Sequence, residues 1–232
     1  NRTHYILMYV EGIRNARRFM SALRSAARIK PIILLKAGRH EAGSIAASTH
    51  SGMAAVSDSV FEAAVRRAGV VRVSNIGQLF YAAKALASKF RPQGNRLAII
   101  TNGGGPGAMA ADRAGDLGIP LAQLSAETMA ALNKMLPPNW SHSNPVDIAG
   151  DATPERYRQT IEMVTADAGV DSTLVMLAPQ AMTNPLEVAK AIVEITDETS
   201  RSVICCWMGE EQVASGRKLL EESGIPAFRT PE

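Results

Sequence analysis

The residue with the clearest chemical potential is His50, which lies in a predicted loop from Ala37 to about Ala55 that is rich in small and hydroxyl side chains. Such neighbours allow a bulky group to approach the imidazole, whose pKa of about 6.5 makes it a good nucleophile at neutral pH. It can accept a phosphoryl group if a carboxylate orients the ring through its other nitrogen. Glu11 ends a neighbouring predicted strand and is placed to supply that carboxylate. On its own, a single histidine is more often an ordinary surface residue, and the other three, which show no metal-ligand spacing, are interpreted in that way: His4, His40 and His142.

A glycine-rich segment, Asn102–Gly107, follows a predicted strand and opens a predicted helix. Backbone N–H groups and the helix dipole form an anion site at such a position, and glycines allow a phosphate to approach closely. Taken alone the glycines are a weak signal, because they can also serve merely to form a tight turn. The segment lacks both the Gly-Lys-Ser/Thr of a P-loop and the third glycine of a dinucleotide fingerprint. We interpret it as a cradle for a phosphoryl group carried from elsewhere.

Two further segments leave alternatives open. Asn144-Pro145-Val146-Asp147 is either a simple turn, which Asn-Pro favours, or a functional loop beside the glycine cradle. For the arginine-rich helix between Arg14 and Arg28, the first interpretation is a solvated face, the second is an interdomain contact, and phosphate binding is a distant third.

Strands and helices alternate along the chain, which predicts an α/β protein with parallel sheets. The first part contains three predicted strands, at residues 5–10, 32–35 and 70–73, with helices at about 13–27, 58–67 and 75–88. After a linker at residues 91–95, the second part contains five predicted strands, at residues 97–101, 121–124, 173–177 and 203–207 and near Ala227. We therefore predict two flavodoxin-like domains, residues 1–92 and 93–232. Ligands of such sheets bind beyond the carboxyl ends of the strands, which is where Glu11, the His50 stretch and the glycine cradle lie.

The composition is that of an ordinary globular protein, with 46% hydrophobic and 20% charged residues among 232. The net charge of +3 is too small to indicate nucleic-acid binding. The two cysteines, Cys205 and Cys206, are adjacent on a predicted strand and so point to opposite faces, which argues against a bridge between them. Without a disulfide framework, a leader or an apolar run of about 20 residues, the cytoplasm is the default location. Because the chain begins inside a strand and ends abruptly, we expect it to be a piece of a longer polypeptide whose first domain is incomplete.

The order of several motifs resembles that of the NDP-forming acyl-CoA synthetases, relatives of succinyl-CoA synthetase. The motifs are Tyr9-Val10-Glu11-Gly12-Ile13, Lys36-Ala37-Gly38-Arg39, Ser48-Thr49-His50-Ser51-Gly52, Thr101–Gly107, Asn144–Asp147 and Gly150–Pro154. The resemblance covers essentially the whole chain. The segments Trp207–Glu210 and Phe228–Glu232 look like bacterial members, some of which are fused to a protein lysine acetyltransferase domain. Ser51 stands where threonine is common in the family.

The resemblance implies a succinyl-CoA synthetase-like fold and an ADP-forming acid–thiol ligase of the acetate–CoA ligase type. It implies a phosphohistidine at His50, with Glu11 as its carboxylate partner. The implied phosphate-binding residues are Asn102, Gly103, Gly104, Gly105 and Gly107, and the implied supporting residues are Ser48, Ser51, Gly52, Asn144 and Asp147. Coenzyme A, ADP or ATP and Mg²⁺ would be bound mainly by CoA-binding and ATP-grasp domains outside this chain, in the same polypeptide or in a partner chain. A homo-oligomer is also expected. No metal site, nucleic acid or membrane is expected, and the chain alone should be catalytically incomplete. An alternative is an acyl-CoA-sensing or oligomerising region of a fused acetyltransferase.

Overall fold

The computed structural model describes residues 3–51, 57–199 and 201–231, with only the backbone described for Ser48, His50 and Ser51. The chain divides into two compact units, and the division falls between Ala87 and Ser88. All paired strands in both units are parallel, as predicted. None of the helices in the described ranges combines the length and apolar character needed to cross a membrane.

The first unit is a three-stranded sheet of order β1-β2-β3 with helices on both faces. Strand β2 is central and all five of its residues are buried, since apolar side chains cover it on each side. One face packs against α1 and α3 through Leu23 and Phe61, and the other packs against α4 through Leu79. The elements are β1 (Ile6–Val10), α1 (Ala16–Ala27), β2 (Ile32–Lys36), α2 (Glu41–Ser51), α3 (Asp58–Arg67), β3 (Val71–Val73) and α4 (Ile76–Ala87).

The prediction of a continuous loop from Ala37 to about Ala55 was wrong, because residues Glu41–Ser51 form helix α2. The described side chains of α2 are exposed or half-buried, and none is buried. Its sequence has no stripe of large apolar residues. Such a stripe is the pattern by which an amphipathic helix is recognised in a sequence, so this helix could not be predicted in that way.

The second unit is a five-stranded sheet of order β5-β4-β6-β7-β8. Its main core lies on the face covered by α6, α7, α8 and α9, while α5 packs on the opposite face through Ala110. Cys205 and Cys206 belong to the cores on opposite faces and are free thiols, which confirms the prediction. The elements are β4 (Leu97–Thr101), α5 (Gly104–Asp116), α6 (Ala126–Met135), β5 (Val146–Asp147), α7 (Pro154–Ala166), β6 (Ser172–Leu177), α8 (Pro185–Thr199), β7 (Val203–Trp207), α9 (Glu211–Glu222) and β8 (Ala227–Phe228).

One strand of the second unit was predicted at the wrong place. Residues 121–124 form no strand and contribute only an isolated bridge, from Leu121 to Leu97. The edge position beside the second half of β4 is taken instead by β5, with Val146 opposite Ile100. Two short segments thus share one edge of β4, and neither is long enough to show the alternation or apolar run of a predictable strand.

Candidate functional site

The glycine cradle lies where β4 ends and α5 begins, at the carboxyl edge of the second sheet. Helix geometry leaves the N–H groups of Gly104 and Gly105 without an intrahelical acceptor, and the N-cap residue, Gly103, provides no side-chain cap. Both glycines are exposed, and Pro106 has no N–H group to contribute. The cradle therefore presents two neighbouring donors at the positive end of a helix dipole, which suits an anion.

The remaining predicted cradle residues serve the local fold. The Gly103 N–H donates to the Thr101 hydroxyl at 3.1 Å, and the Gly107 N–H donates to the Gly103 carbonyl at 3.2 Å. A Cβ on Gly107 would lie 2.8 Å from Thr101 Cγ2, so only glycine lets α5 pack this closely on β4. Gly105, in contrast, has open space where a Cβ would stand, because no atom of the described residues beyond its own helix backbone and chain neighbours lies within 4 Å.

Asn102 is almost fully buried, and its side chain is bound to the end of β6. Nδ2 donates to the Ala178 carbonyl at 2.8 Å, and Oδ1 accepts from the Ala178 N–H at 2.8 Å. Nδ2 also lies 3.4 Å from Thr183 Oγ1. The Asn102 amide therefore fixes the start of the cradle rather than pointing to an incoming ligand.

Asn144 likewise has a structural role at the edge of β4. Its Oδ1 accepts from the Ile99 N–H at 2.9 Å, and its Nδ2 donates to the carbonyls of Leu97 at 2.8 Å and Ala122 at 2.9 Å. The Asn144 side chain therefore bonds to β4 between the bridge at Leu121 and the pairing of Val146, and it links the two segments that lie along this edge of the strand.

Asp147 lies beside the cradle. Its Oδ1 accepts from the Ala149 N–H at 3.0 Å, and its Oδ2 would be 3.0 Å from a Cβ on Gly104. Burial raises the pKa of Tyr157 well above its usual value, and the negative charge of Asp147 acts in the same direction. An anion bound by the Gly104 and Gly105 N–H groups would therefore lie next to Asp147.

In the first unit, Glu11 and the residues after β2 share the carboxyl edge of the sheet. Val10 pairs with Lys36, and the Ala37 N–H donates to the Val10 carbonyl at 2.9 Å, so half-buried Glu11 directly follows a strand that ends beside them. His50 is the penultimate residue of α2. The side chains of His50, Ser48 and Ser51 and the whole of Gly52 lie outside the described residues, so the pairing of Glu11 with His50 stays a prediction.

Sequence reasoning missed a charged cluster behind α2. Lys36, Asp58, Glu62 and Arg72 form a network in which Asp58 Oδ1 lies 3.6 Å from Lys36 Nζ, and Arg72 Nη1 lies 2.7 Å from Glu62 Oε2. Burial acts to raise the pKa of Asp58, but the hydrogen bond and charge of Arg72, with Lys36 and Arg39, lower it overall. Two features of the sequence could have indicated this cluster: a lysine that ends an apolar strand, and an arginine between two valines.

Comparison with known proteins defines the family. Residues 97–231 match the Ligase-CoA domain, and residues 1–86 match the succinyl-CoA ligase like flavodoxin domain. The chain therefore belongs to the succinyl-CoA ligase-like family, which confirms the resemblance seen in its motifs.

Two relatives of known name and one solved structure show which members of the family this chain is similar to. Over 99% of its length the chain is 41% identical to acetate–CoA ligase [ADP-forming] I of Archaeoglobus fulgidus, and it covers 32% of that protein. It is 38% identical to the alpha subunit of acetate–CoA ligase [ADP-forming] I of Pyrococcus furiosus, of which it covers 50%. A solved structure of dinucleotide-forming acetyl-coenzyme A synthetase 1 from Ca. Korarchaeum cryptofilum, in complex with phosphate and ADP, superimposes with a TM-score of 0.90 at 33% identity, covering 99% of this chain and 50% of that one. The chain thus spans between a third and a half of these relatives.

Proposed function

We propose that this chain is the part of an ADP-forming acyl-CoA ligase that relays a phosphoryl group through His50. The observation that carries the proposal is its similarity, over 99% of its length, to acetate–CoA ligase [ADP-forming] I. The N–H pair of Gly104 and Gly105 at the uncapped start of α5 supports it, because this pair suits the anion that such a relay must hold.

The proposed reaction has three reversible steps. Phosphate attacks the thioester carbonyl of an acyl-CoA, so that the C–S bond breaks and an acyl phosphate and the CoA thiol form. A ring nitrogen of His50 then displaces the carboxylate from phosphorus, which releases the acid. Finally, the terminal phosphate oxygen of ADP takes the phosphoryl group from phospho-His50, giving ATP and free histidine.

The residues of this chain would divide the work. Glu11 would orient the His50 ring through its other nitrogen, because a carboxylate partner fixes the tautomer of a histidine nucleophile. The N–H groups of Gly104 and Gly105 would stabilise the charge on the transferring group. Ser48, Ser51 and Gly52 would leave room around the imidazole. Asn102, Asn144 and Asp147 would support the reaction indirectly, by fixing the loops at the carboxyl edge.

The remaining binding functions would belong to other parts of the protein. Coenzyme A, ADP or ATP and Mg²⁺ would be held mainly by CoA-binding and ATP-grasp domains, in the same polypeptide or in a partner chain, and the protein would form a homo-oligomer. We propose acetate as the default acid, by likeness to the relatives named above. The alternative of a regulatory region fused to an acetyltransferase gains no support from these relatives and stays a prediction.

The proposal is tested by mixing the full-length protein with acetyl-CoA, phosphate, ADP and Mg²⁺ and measuring ATP and free CoA together. We expect equal amounts of both products, and no ATP when phosphate or ADP is omitted. The His50→Ala variant should form no ATP. Its matched control is His40→Ala, because His40 is exposed and precedes α2, and this variant should retain activity. Absence of ATP with acetyl-CoA and with longer acyl-CoA substrates would contradict the proposal. The 232-residue chain by itself should form no ATP.

A further inference from the structure

Lys36 contacts both ends of the stretch of chain that contains His50. Its Nζ donates to the carbonyl of Gly38 at 2.8 Å, just before that stretch, and lies 3.6 Å from Oδ1 of Asp58, just after it. We infer that Lys36 is a positioning residue, which closes the stretch between Gly38 and Asp58 and thereby holds α2 and His50 at the carboxyl edge of the sheet. The inference rests on the proposed function only in the role that it gives to His50.

The contact with Gly38 lies just before α2 begins. Gly38 has a φ of +68°, in the left-handed region that favours glycine. A Cβ at Gly38 would lie 3.2 Å from Ser44 Cα and 3.4 Å from Ala47 Cβ, so this turn packs directly on α2. Because Lys36 holds the Gly38 carbonyl, it also fixes the turn on which the helix rests.

The contact with Asp58 fixes the other end. Asp58 is the first residue of α3, and its carboxylate is also bound by Arg72 of β3. The ring of Phe61, one turn along α3, lies 5.6 Å from Lys36 Nζ and 5.3 Å from Arg72 Cζ, within the range of cation–π contacts. Lys36 thus links the start of α3 to the central strand of the sheet.

Two observations explain why a charged residue serves at this position. The side chain of Lys36 is 6% exposed, and an apolar residue in such a place would normally be at least as stable. Helix α2, however, has no buried side chain among those described, so apolar packing does little to hold it. A directional contact at each end supplies the positioning that a core would otherwise provide.

The test compares Lys36→Met, Lys36→Arg and wild-type forms of the full-length protein, with Lys190→Met as the control. Lys190 is an exposed lysine of α8 that pairs with Glu187. One measurement is amide hydrogen exchange of residues 41–51, and the other is the rate at which labelled ATP phosphorylates His50. For Lys36→Met we expect faster exchange in α2 with unchanged exchange in the second unit, and phosphorylation slower by roughly tenfold or more at saturating ATP, without a rise in KM. Lys36→Arg should restore most of the rate, and Lys190→Met should match the wild type.

The outcomes separate this inference from the proposed function. Wild-type exchange in Lys36→Met would overturn the inference, and so would faster exchange with an unchanged rate of phosphorylation. If wild-type His50 takes no label, the proposed function fails, and the exchange of residues 41–51 alone decides whether Lys36 holds α2. If Lys36→Met does not fold, Asp58→Asn provides the same comparison, because it weakens the contact at the other end while keeping an oxygen for Arg72.

Discussion

Asn102 and Ala178 form a reciprocal pair in which one side-chain amide satisfies both backbone groups of one residue. Nδ2 of Asn102 donates to the Ala178 carbonyl and Oδ1 accepts from its N–H group, each at 2.8 Å. The pair joins the carboxyl ends of β4 and β6 immediately before the glycines of the cradle. It continues the hydrogen bonding between the two strands just beyond their last paired residues, Thr101 and Met176.

Replacing Asn102 should therefore destabilise the protein. We expect Asn102→Ala to lower the free energy of unfolding by about 1–3 kcal/mol, since the N–H and carbonyl of Ala178 lose their partners. Asn102→Asp should not restore it, because a carboxylate would face the Ala178 carbonyl without a donor. Denaturant unfolding of the three proteins checks this expectation, and a wild-type midpoint for Asn102→Ala would show that the pair is energetically unimportant.

The two glycines at the start of α5 should respond differently to the same substitution. Gly107→Ala would place a Cβ 2.8 Å from Thr101 Cγ2 and should cost about 1–3 kcal/mol of stability through overpacking. Gly105→Ala meets no atom within 4 Å and should be neutral, or stabilising by up to about 1 kcal/mol. Thermal unfolding of both variants measures the difference, and equal melting temperatures would mean that α5 does not depend on close approach to β4.

Asp167 should give the second unit a specific dependence on acid. Burial alone would raise the pKa of Asp167, but hydrogen bonds from the Thr128 hydroxyl and from the N–H groups of Ser125 and Gly169 lower it to about 2. A carboxyl whose pKa is depressed by folding stabilises the folded state above its unfolded pKa, and this stability is lost as the pH falls towards the folded value. After allowance for solvent screening, we expect a contribution of about 1–2 kcal/mol that disappears between about pH 4 and pH 2.

The contribution of Asp167 is measured by denaturant unfolding across that range. Asp167→Asn should be less stable than the wild type near neutral pH, and the difference should narrow as the pH falls. Asp112→Asn, at an exposed position of α5, is the control and should be as stable as the wild type near neutral pH. A difference between Asp167→Asn and the wild type that stays constant with pH would contradict the assignment.

Local sequence patterns predicted the central strands well, because β2, β4, β6 and β7 are largely apolar runs. The patterns failed where structure depends on distant partners. Helix α2 has no apolar stripe, and β5 is a two-residue segment that follows Asn144, whose side chain bonds to the edge of β4.

The candidate site shows the same division. Its glycines follow from the sequence, since a glycine-rich turn between a strand and a helix is a local signal. The sequence does not show which of the N–H groups remain available to a ligand, because that of Gly103 donates to the Thr101 hydroxyl. The anchoring of α2 by Lys36 was also hidden, as its partner Asp58 lies far along the chain, beyond the whole of α2. The setting of His50 itself stays a prediction.

Phosphorylation of His50 is the most direct test of the proposed relay. The full-length protein is incubated with ATP labelled in its terminal phosphate and Mg²⁺, and the protein-bound label is then followed in acid, in base and after addition of ADP. We expect an acid-labile, base-stable label in the wild type and in His40→Ala that ADP removes as labelled ATP, and no label in His50→Ala. An unlabelled wild-type protein, or equal label in His50→Ala, would contradict the relay.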